Sequence, residues 1–143
     1  MKEGNRIYDM PNLGCLLGTA YQTLSGRLAH TLARERLGIT VPEYLILRAL
    51  FTRDGMQQCE IGEMIGKDKG SICRGVKSLE SKGFVRTVAV SHKCLRVYLS
   101  AKGMDIKPAV MKIAADKHSA LVSLLTENEL AALESALKKI IFN

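Results

Sequence analysis

Residues 58–82 read QCEIGEMIGKDKGSICRGVKSLESK. Ile61, Met64 and Ile65 recur at helical spacing, so a short helix over about 58–65 turns them inward, and Gly66 breaks it. Asp68 is placed to cap a second helix running to Lys82, with Ile72, Val76 and Leu79 as its apolar stripe. Two short helices joined by a tight glycine-containing turn form a helix-turn-helix signature. The second helix sorts its residues by face: Lys69, Gly70, Ser71, Arg74 and Lys77 lie opposite the apolar stripe. A recognition helix presents its N-terminal residues to base edges in the major groove of DNA. Arg74 has the fork for a guanine O6/N7 pair, and Lys69 the reach for a guanine or a phosphate. Gly70 lets the backbone come close, and Ser71 can donate to a base or a phosphate. Lys77 and Lys82, farther along, suit the phosphate backbone.

Beyond Gly83 the period changes. Residues 84–90 (FVRTVAV) and 95–99 (LRVYL) are rich in β-branched and aromatic residues, with Ser91-His92-Lys93-Cys94 as a polar tip. A hairpin placed directly after a helix-turn-helix is a wing, and this one has a basic end formed by His92, Lys93 and Arg96. From Lys67 to Lys102 the chain carries nine Lys/Arg against Asp68 and Glu80, which equals the net charge of +7 for all 143 residues. The remainder holds 12 basic and 12 acidic groups. A solvated helix face is the usual meaning of exposed Lys and Arg. Two basic elements beside one groove-sized helix point instead to a polyanion reader.

The flanking elements are helical. Leu13, Leu17, Ala20, Leu24 and Leu28 mark one face of a long first helix ending near Leu37-Gly38. Gly14, Gly18 and Gly26 within it make sense if another helix approaches closely. Thr40-x-x-Glu43 is a capping box that opens a second helix, with Pro42 tolerated in its first turn and Asp54-Gly55 as its stop. After the wing, Ser100 caps a helix beginning near Ala101, with Ile106, Val110, Ile113, Leu121 and Leu124 as its stripe. Pro108 should kink that helix or delay its regular start. Thr126-x-x-Glu129 opens a last helix carrying Leu130, Leu133, Leu137 and Ile140. A chain this short has little core with which to cover all these faces, so burial against a second copy is the economical solution and predicts a symmetric dimer. The alternative is a monomer whose terminal helices fold back on the winged unit.

Composition narrows the function. The length predicts one domain, and an apolar content of 47% with three prolines argues for a folded chain. No apolar run approaches the roughly 18 residues of a membrane span. The polar, mixed-charge start predicts no secretory leader and a cytoplasmic protein. Cys15, Cys59, Cys73 and Cys94 form no C-x-x-C pair and have no nearby histidine at ligand spacing, so no metal site is expected. No phosphate-cradling loop or nucleophilic triad is visible, and the three histidines sit on different elements, so neither catalysis nor a cofactor is expected.

The order helix, helix, helix-turn-helix, basic wing, helix, helix resembles the MarR family of bacterial transcriptional regulators over nearly the whole chain. The stretches that carry the likeness are Ile39-Thr40-x-x-Glu43-Tyr44 and Glu60-Ile61-Gly62-Glu63-Met64-Ile65-Gly66. They continue with Asp68-Lys69-Gly70-Ser71-Ile72-Cys73-Arg74, Leu79-Glu80-x-x-Gly83-Phe84-Val85 and Leu99-Ser100-x-x-Gly103. The resemblance implies a mainly α fold with a small β-wing: one domain over 1–143, its winged helix-turn-helix at about 40–100. Dimerisation helices are implied at about 11–37 and 101–142. It further implies a homodimeric repressor whose recognition helices lie about 34–36 Å apart on a pseudo-palindromic operator in double-stranded DNA. A small-molecule effector would bind a crevice between the dimer helices and the winged unit, with Tyr21, His30, Tyr44, Arg48 and His118 as candidate lining. The family's wing tip has an Asp-x-Arg pattern, whereas this chain has Ser91-His92-Lys93. Lys93 would enter the minor groove as a point charge without a planar fork, leaving Arg96 to take part of the load. Some members of the family sense oxidants through a cysteine near the start of the first helix. Cys15 lies in that region displaced by one residue, and Val41 stands where a supporting tyrosine is expected. Cys73 and Cys94 would bring oxidation closer to the DNA contacts. A cysteine-based redox sensor is therefore one alternative, and a winged-helix module for an acidic protein partner is the other.

Overall fold

The computed structural model describes residues 12–143. The elements in chain order are α1 (Leu13–Arg34), α2 (Val41–Thr52), β1 (Met56–Gln57), α3 (Gln58–Ile65), α4 (Lys69–Ser81) and β2 (Val85–Ser91). They continue with β3 (Cys94–Leu99), α5 (Ala101–Asp105), α6 (Lys107–Val122) and α7 (Glu127–Phe142). The chain divides into two compact units, one ending at Lys107 and the other spanning Pro108–Asn143.

In the first unit, local chemistry sets most boundaries. Asn12 caps α1 by accepting the Cys15 N–H at 3.1 Å; the expected helix start near residue 11 lies outside the described residues. The helix stops at Arg34, short of the expected Leu37-Gly38, because Arg36 takes a left-handed φ of 55° before Gly38 does so at 72°. Thr40 and Glu43 form the capping box: the Glu43 N–H donates to Thr40 Oγ1, and the Thr40 N–H donates to Glu43 Oε1 at 2.9 Å. Asp68 caps α4, accepting the Ser71 N–H at 2.6 Å.

The core gathers α2, α3 and α4 against the sheet. Ile46, Leu47 and Leu50 from α2, Ile61 from α3, Ile72, Val76 and Leu79 from α4, and Val97 from β3 are all buried. Each such side chain contributes roughly 1.5–3 kcal/mol by leaving water. Met64, expected to face inward, is 49% exposed, so α3 buries a narrower stripe than its spacing suggests. At Gly75 a β-carbon would come within 2.5 Å of Ile46 Cδ1, which shows how closely α4 approaches α2.

The sheet is antiparallel with strand order β1-β3-β2. The hairpin strands reach farther than their apolar pattern, so the tip narrows to the turn His92-Lys93 between the paired Ser91 and Cys94. An irregularity between Ala89 and Ser91 breaks the ladder just before the tip. β1 was not foreseen. Its two residues carry no period of their own and become a strand only through Met56 opposite Val97 and Gln57 opposite Arg96. The single helix expected after the wing is divided at Ile106, and Pro108 falls in the first turn of α6, where its missing N–H costs no helical bond.

In the second unit, α6 buries Val110 and Ile113. Thr126 and Glu129 form the capping box of α7, whose described residues include none that is buried.

Candidate nucleic-acid interface

Asp68 fixes where α4 begins, and therefore which side chains crown it. Hydrogen bonds from the Ser71 amide and hydroxyl hold the Asp68 carboxyl below the usual carboxylate range, with smaller help from Arg74 and Lys67. Lys69, Gly70, Arg74 and Lys77 are exposed and Ser71 is half-buried, so the polar face expected from the spacing lies at the surface. The Arg74 guanidinium folds toward the helix start, where Nη2 donates to Ser71 Oγ at 3.4 Å. Its Nη1 lies 3.1 Å from where a β-carbon of Gly70 would stand. Gly70 thus leaves room for the Arg74 side chain as well as for a close backbone approach.

Helix α4, the turn before it and the wing meet in one groove of about 1020 Å³, lined on one side by Lys67 and Lys69 and on the other by His92 and Lys93. Sequence reading assigned these side chains to two separate elements; the fold sets them around a single space. Both tip residues are exposed, and the Lys93 N–H donates to Ser91 Oγ at 3.4 Å. Ser91 is thereby used to shape the turn, where an acidic residue would orient a cation.

Several cations of the basic stretch serve the fold. Lys82, expected at the phosphate backbone, places its Nζ 2.7 Å from the buried Glu43 carboxylate and 3.0 Å from the Gly38 carbonyl. Arg96, expected to extend the basic wing, is half-buried and donates Nη1 to the Gly55 carbonyl at 2.9 Å. Lys102 donates to the Lys82 carbonyl and stands over the Phe84 ring, and Arg86 covers Tyr98. Lys69, Arg74, Lys77 and Lys93 remain exposed with no ion pair among the described residues. The usable positive charge is therefore smaller than the count in the sequence and more sharply placed.

The candidate effector residues do not all share one environment. Tyr44 is buried on α2, and the exposed Arg48 guanidinium lies 5.9 Å from its ring centre. Tyr21 is 51% exposed on α1 and accepts a hydrogen bond from Lys67 Nζ at 3.2 Å. Hydrogen bonds from Ser25 and Lys67 lower its phenol below the usual range. His30 on α1 and His118 on α6 are exposed. The Tyr21–Lys67 contact, which ties α1 to the turn before α4, spans 46 positions and left no trace in the local pattern.

A capped cationic helix, a hairpin beside it and a groove between them define a winged helix-turn-helix. Residues 37–93 match the model of the MarR family. That match runs from the approach to α2 to the tip of the wing, less than half of the chain. Among curated relatives, the HTH-type transcriptional regulator TtmR of Methylorubrum extorquens is 32% identical over 92 residues, covering 63% of this chain and 43% of that protein. The chain thus spans less than half of that relative. Among solved structures, a cysteine-to-serine mutant of MarR from E. coli in complex with operator DNA superposes with a TM-score of 0.77 at 27% identity. It covers 90% of this chain and 92% of that one. CouR from Rhodococcus jostii bound to p-coumaroyl-CoA shares the fold, with a TM-score of 0.76 and 18% identity over 92% of this chain and 93% of that one. No helix among the described residues is long and apolar enough to cross a membrane.

Proposed function

We propose that this protein is a sequence-specific, double-stranded-DNA-binding transcriptional regulator of the cytoplasm, acting as a homodimeric repressor. The carrying observation is the groove in which Lys67 and Lys69 at the head of α4 face His92 and Lys93 at the wing tip. A recognition helix seated in the major groove sets base contacts through Arg74 and Lys69, and the wing enters the flanking minor groove through Lys93. Gly70 and Ser71 lie at the closest approach, Lys77 contacts phosphate, and Arg96 holds the wing to the Gly55 carbonyl. The role is one of binding, without catalysis.

Pairing rests on apolar surface left open. On α1, Leu13 is 75% exposed and Leu24 41%; on α7, Ile141 is 68% exposed and Phe142 81%. Among the described residues a β-carbon at Gly18 or Gly26 would meet nothing within 4 Å, which leaves room along that face of α1 for a close helix neighbour. The chain in this reading works as one MarR-type domain with dimerising helices on either side of its winged part. Release by a small ligand is supported by the relative bound to an acyl-CoA. Tyr21, His30, Tyr44, Arg48 and His118 are the residues to probe for it.

A salt titration of duplex affinity tests the reading. Six to ten phosphate contacts by the dimer make affinity fall by about 10³–10⁵ between 50 and 200 mM salt. Absence of duplex binding even at low salt overturns it in favour of a module for an acidic protein partner.

A further inference from the structure

Glu80 is exposed in the last turn of α4 and makes no ion pair among the described residues, although the stretch around it is basic. Its Oε2 instead accepts twice from Thr87 of β2, from the backbone N–H and from Oγ1, each at 2.8 Å. Strand order leaves this position open to it. β2 is an edge strand, so on its side away from β3 no further strand takes the N–H groups. The Glu80 carbonyl is engaged as well, accepting from the Gly83 N–H at 3.0 Å, so backbone and side chain of one residue close the same helix-to-strand corner. Above Thr87 the hairpin stands on its own. Among the described residues no hydrogen bond from outside the hairpin reaches residues 88–95, and Val88, Val90 and Leu95 are exposed. Thr87 is thus the outermost point at which β2 is tied to α4, below the arm that carries His92 and Lys93.

We propose that Glu80 is a positioning residue for the wing: by gripping the edge of β2 it fixes the angle between α4 and the arm carrying Lys93, so that helix and tip engage one duplex together. An arm whose direction is set in the free protein loses less freedom on binding. Once α4 is seated, the tip then meets its groove as an intramolecular partner at high effective concentration. A carboxylate repels phosphate, so the charge of Glu80 by itself adds nothing to duplex binding; its use lies in the two hydrogen bonds from Thr87. Glu80 therefore acts through Lys93 and needs no contact of its own with nucleic acid. This consequence for affinity, but not the brace itself, rests on the DNA-binding reading.

Two substitutions in the full chain separate the brace from the charge. Glu80→Ala removes acceptor and charge, whereas Glu80→Gln removes the charge and keeps a carbonyl oxygen of the same reach. Glu80 is exposed, so both should leave the urea midpoint nearly unchanged. Hydrogen exchange reads the brace without DNA: the Thr87 amide should exchange about ten-fold or more faster in Glu80→Ala and near the native rate in Glu80→Gln. Duplex affinity reads the consequence. Lys93→Ala should cost about ten-fold in the native chain and in Glu80→Gln, but less than about three-fold in Glu80→Ala, a coupling that a merely structural residue would not show. Equal costs of Lys93→Ala in all three backgrounds, or no cost in any, overturn the positioning role. Glu80→Gln behaving as Glu80→Ala overturns the part given to the acceptor. If the native protein binds no duplex, the DNA-binding reading fails by itself, and the brace is still decided at Thr87, where an unchanged exchange rate in Glu80→Ala overturns it.

Discussion

At Glu43 one buried carboxylate joins the N-terminus of α2 to the C-terminal end of α4. Burial pushes its pKa up, but hydrogen bonds from Lys82, the Thr40 amide, Ser78 and the Thr40 hydroxyl outweigh that, and the carboxyl titrates below its usual value. A group whose pKa is lowered by folding stabilises the fold above its unfolded value of about 4.5, and that stability is lost as pH falls through the folded pKa. Glu43→Gln should therefore cost about 1–3 kcal/mol at pH 7 and much less at acid pH, where the native carboxylate is protonated too. Urea unfolding at the two pH values measures the difference; an equal cost at both would leave the Glu43 charge without a role. In the proposed DNA-binding role, Arg74 and Lys77 have different tasks. Arg74→Ala should cost about 1–3 kcal/mol and relax preference at one base pair, whereas Lys77→Ala should weaken all duplexes alike and lower the salt slope by about one. Competition binding against specific and random duplex distinguishes them, and equal losses for Arg74→Ala would reassign it to a phosphate.

Among the elements, the junction between β2, β3 and α5 has the tightest steric condition. A β-carbon at Gly103 would collide with the Phe84 carbonyl oxygen, a backbone atom that cannot swing away. Gly103→Ala should lower stability by about 1–3 kcal/mol, read as a lower urea midpoint with the same slope. The wing offers a test of charge geometry: Lys93→Ala should reduce duplex affinity while leaving Arg74-dependent base preference intact, as binding to sequence variants will show. The capping boxes at Thr40 and Thr126, the Asp68 cap and the stripe Ile72-Val76-Leu79 were legible in the sequence because each is a local pattern with a local cause. What could not be read there depends on distant partners. β1 exists through β3, Met64 is exposed because α3 lies where it does, and Lys82 is taken by a carboxylate 39 positions away. The site shows the same division, since its side chains were recognisable as types while the groove uniting helix and wing came only from the fold.

For the whole molecule, the exposed apolar side chains of α1 and α7 make assembly the property to measure. Ile140 is 61% exposed, so Ile140→Glu should leave the fold of one chain intact, within about 0.5 kcal/mol. The same change should halve the mass found by light scattering and weaken duplex binding. A variant that keeps its dimer mass would move the interface elsewhere. The pairing of Met56 with Val97 and of Gln57 with Arg96 carries a further consequence for the wing. The strand that leads directly into α3 is a rung of the same ladder as the wing, and Arg96 fastens that ladder again at the Gly55 carbonyl. The segment leading into α3 is thus tied to the wing twice, by the β1–β3 pairing and by the Arg96–Gly55 hydrogen bond, so Arg96→Ala should loosen the wing against α3, read as faster amide exchange at Met56 and Val97.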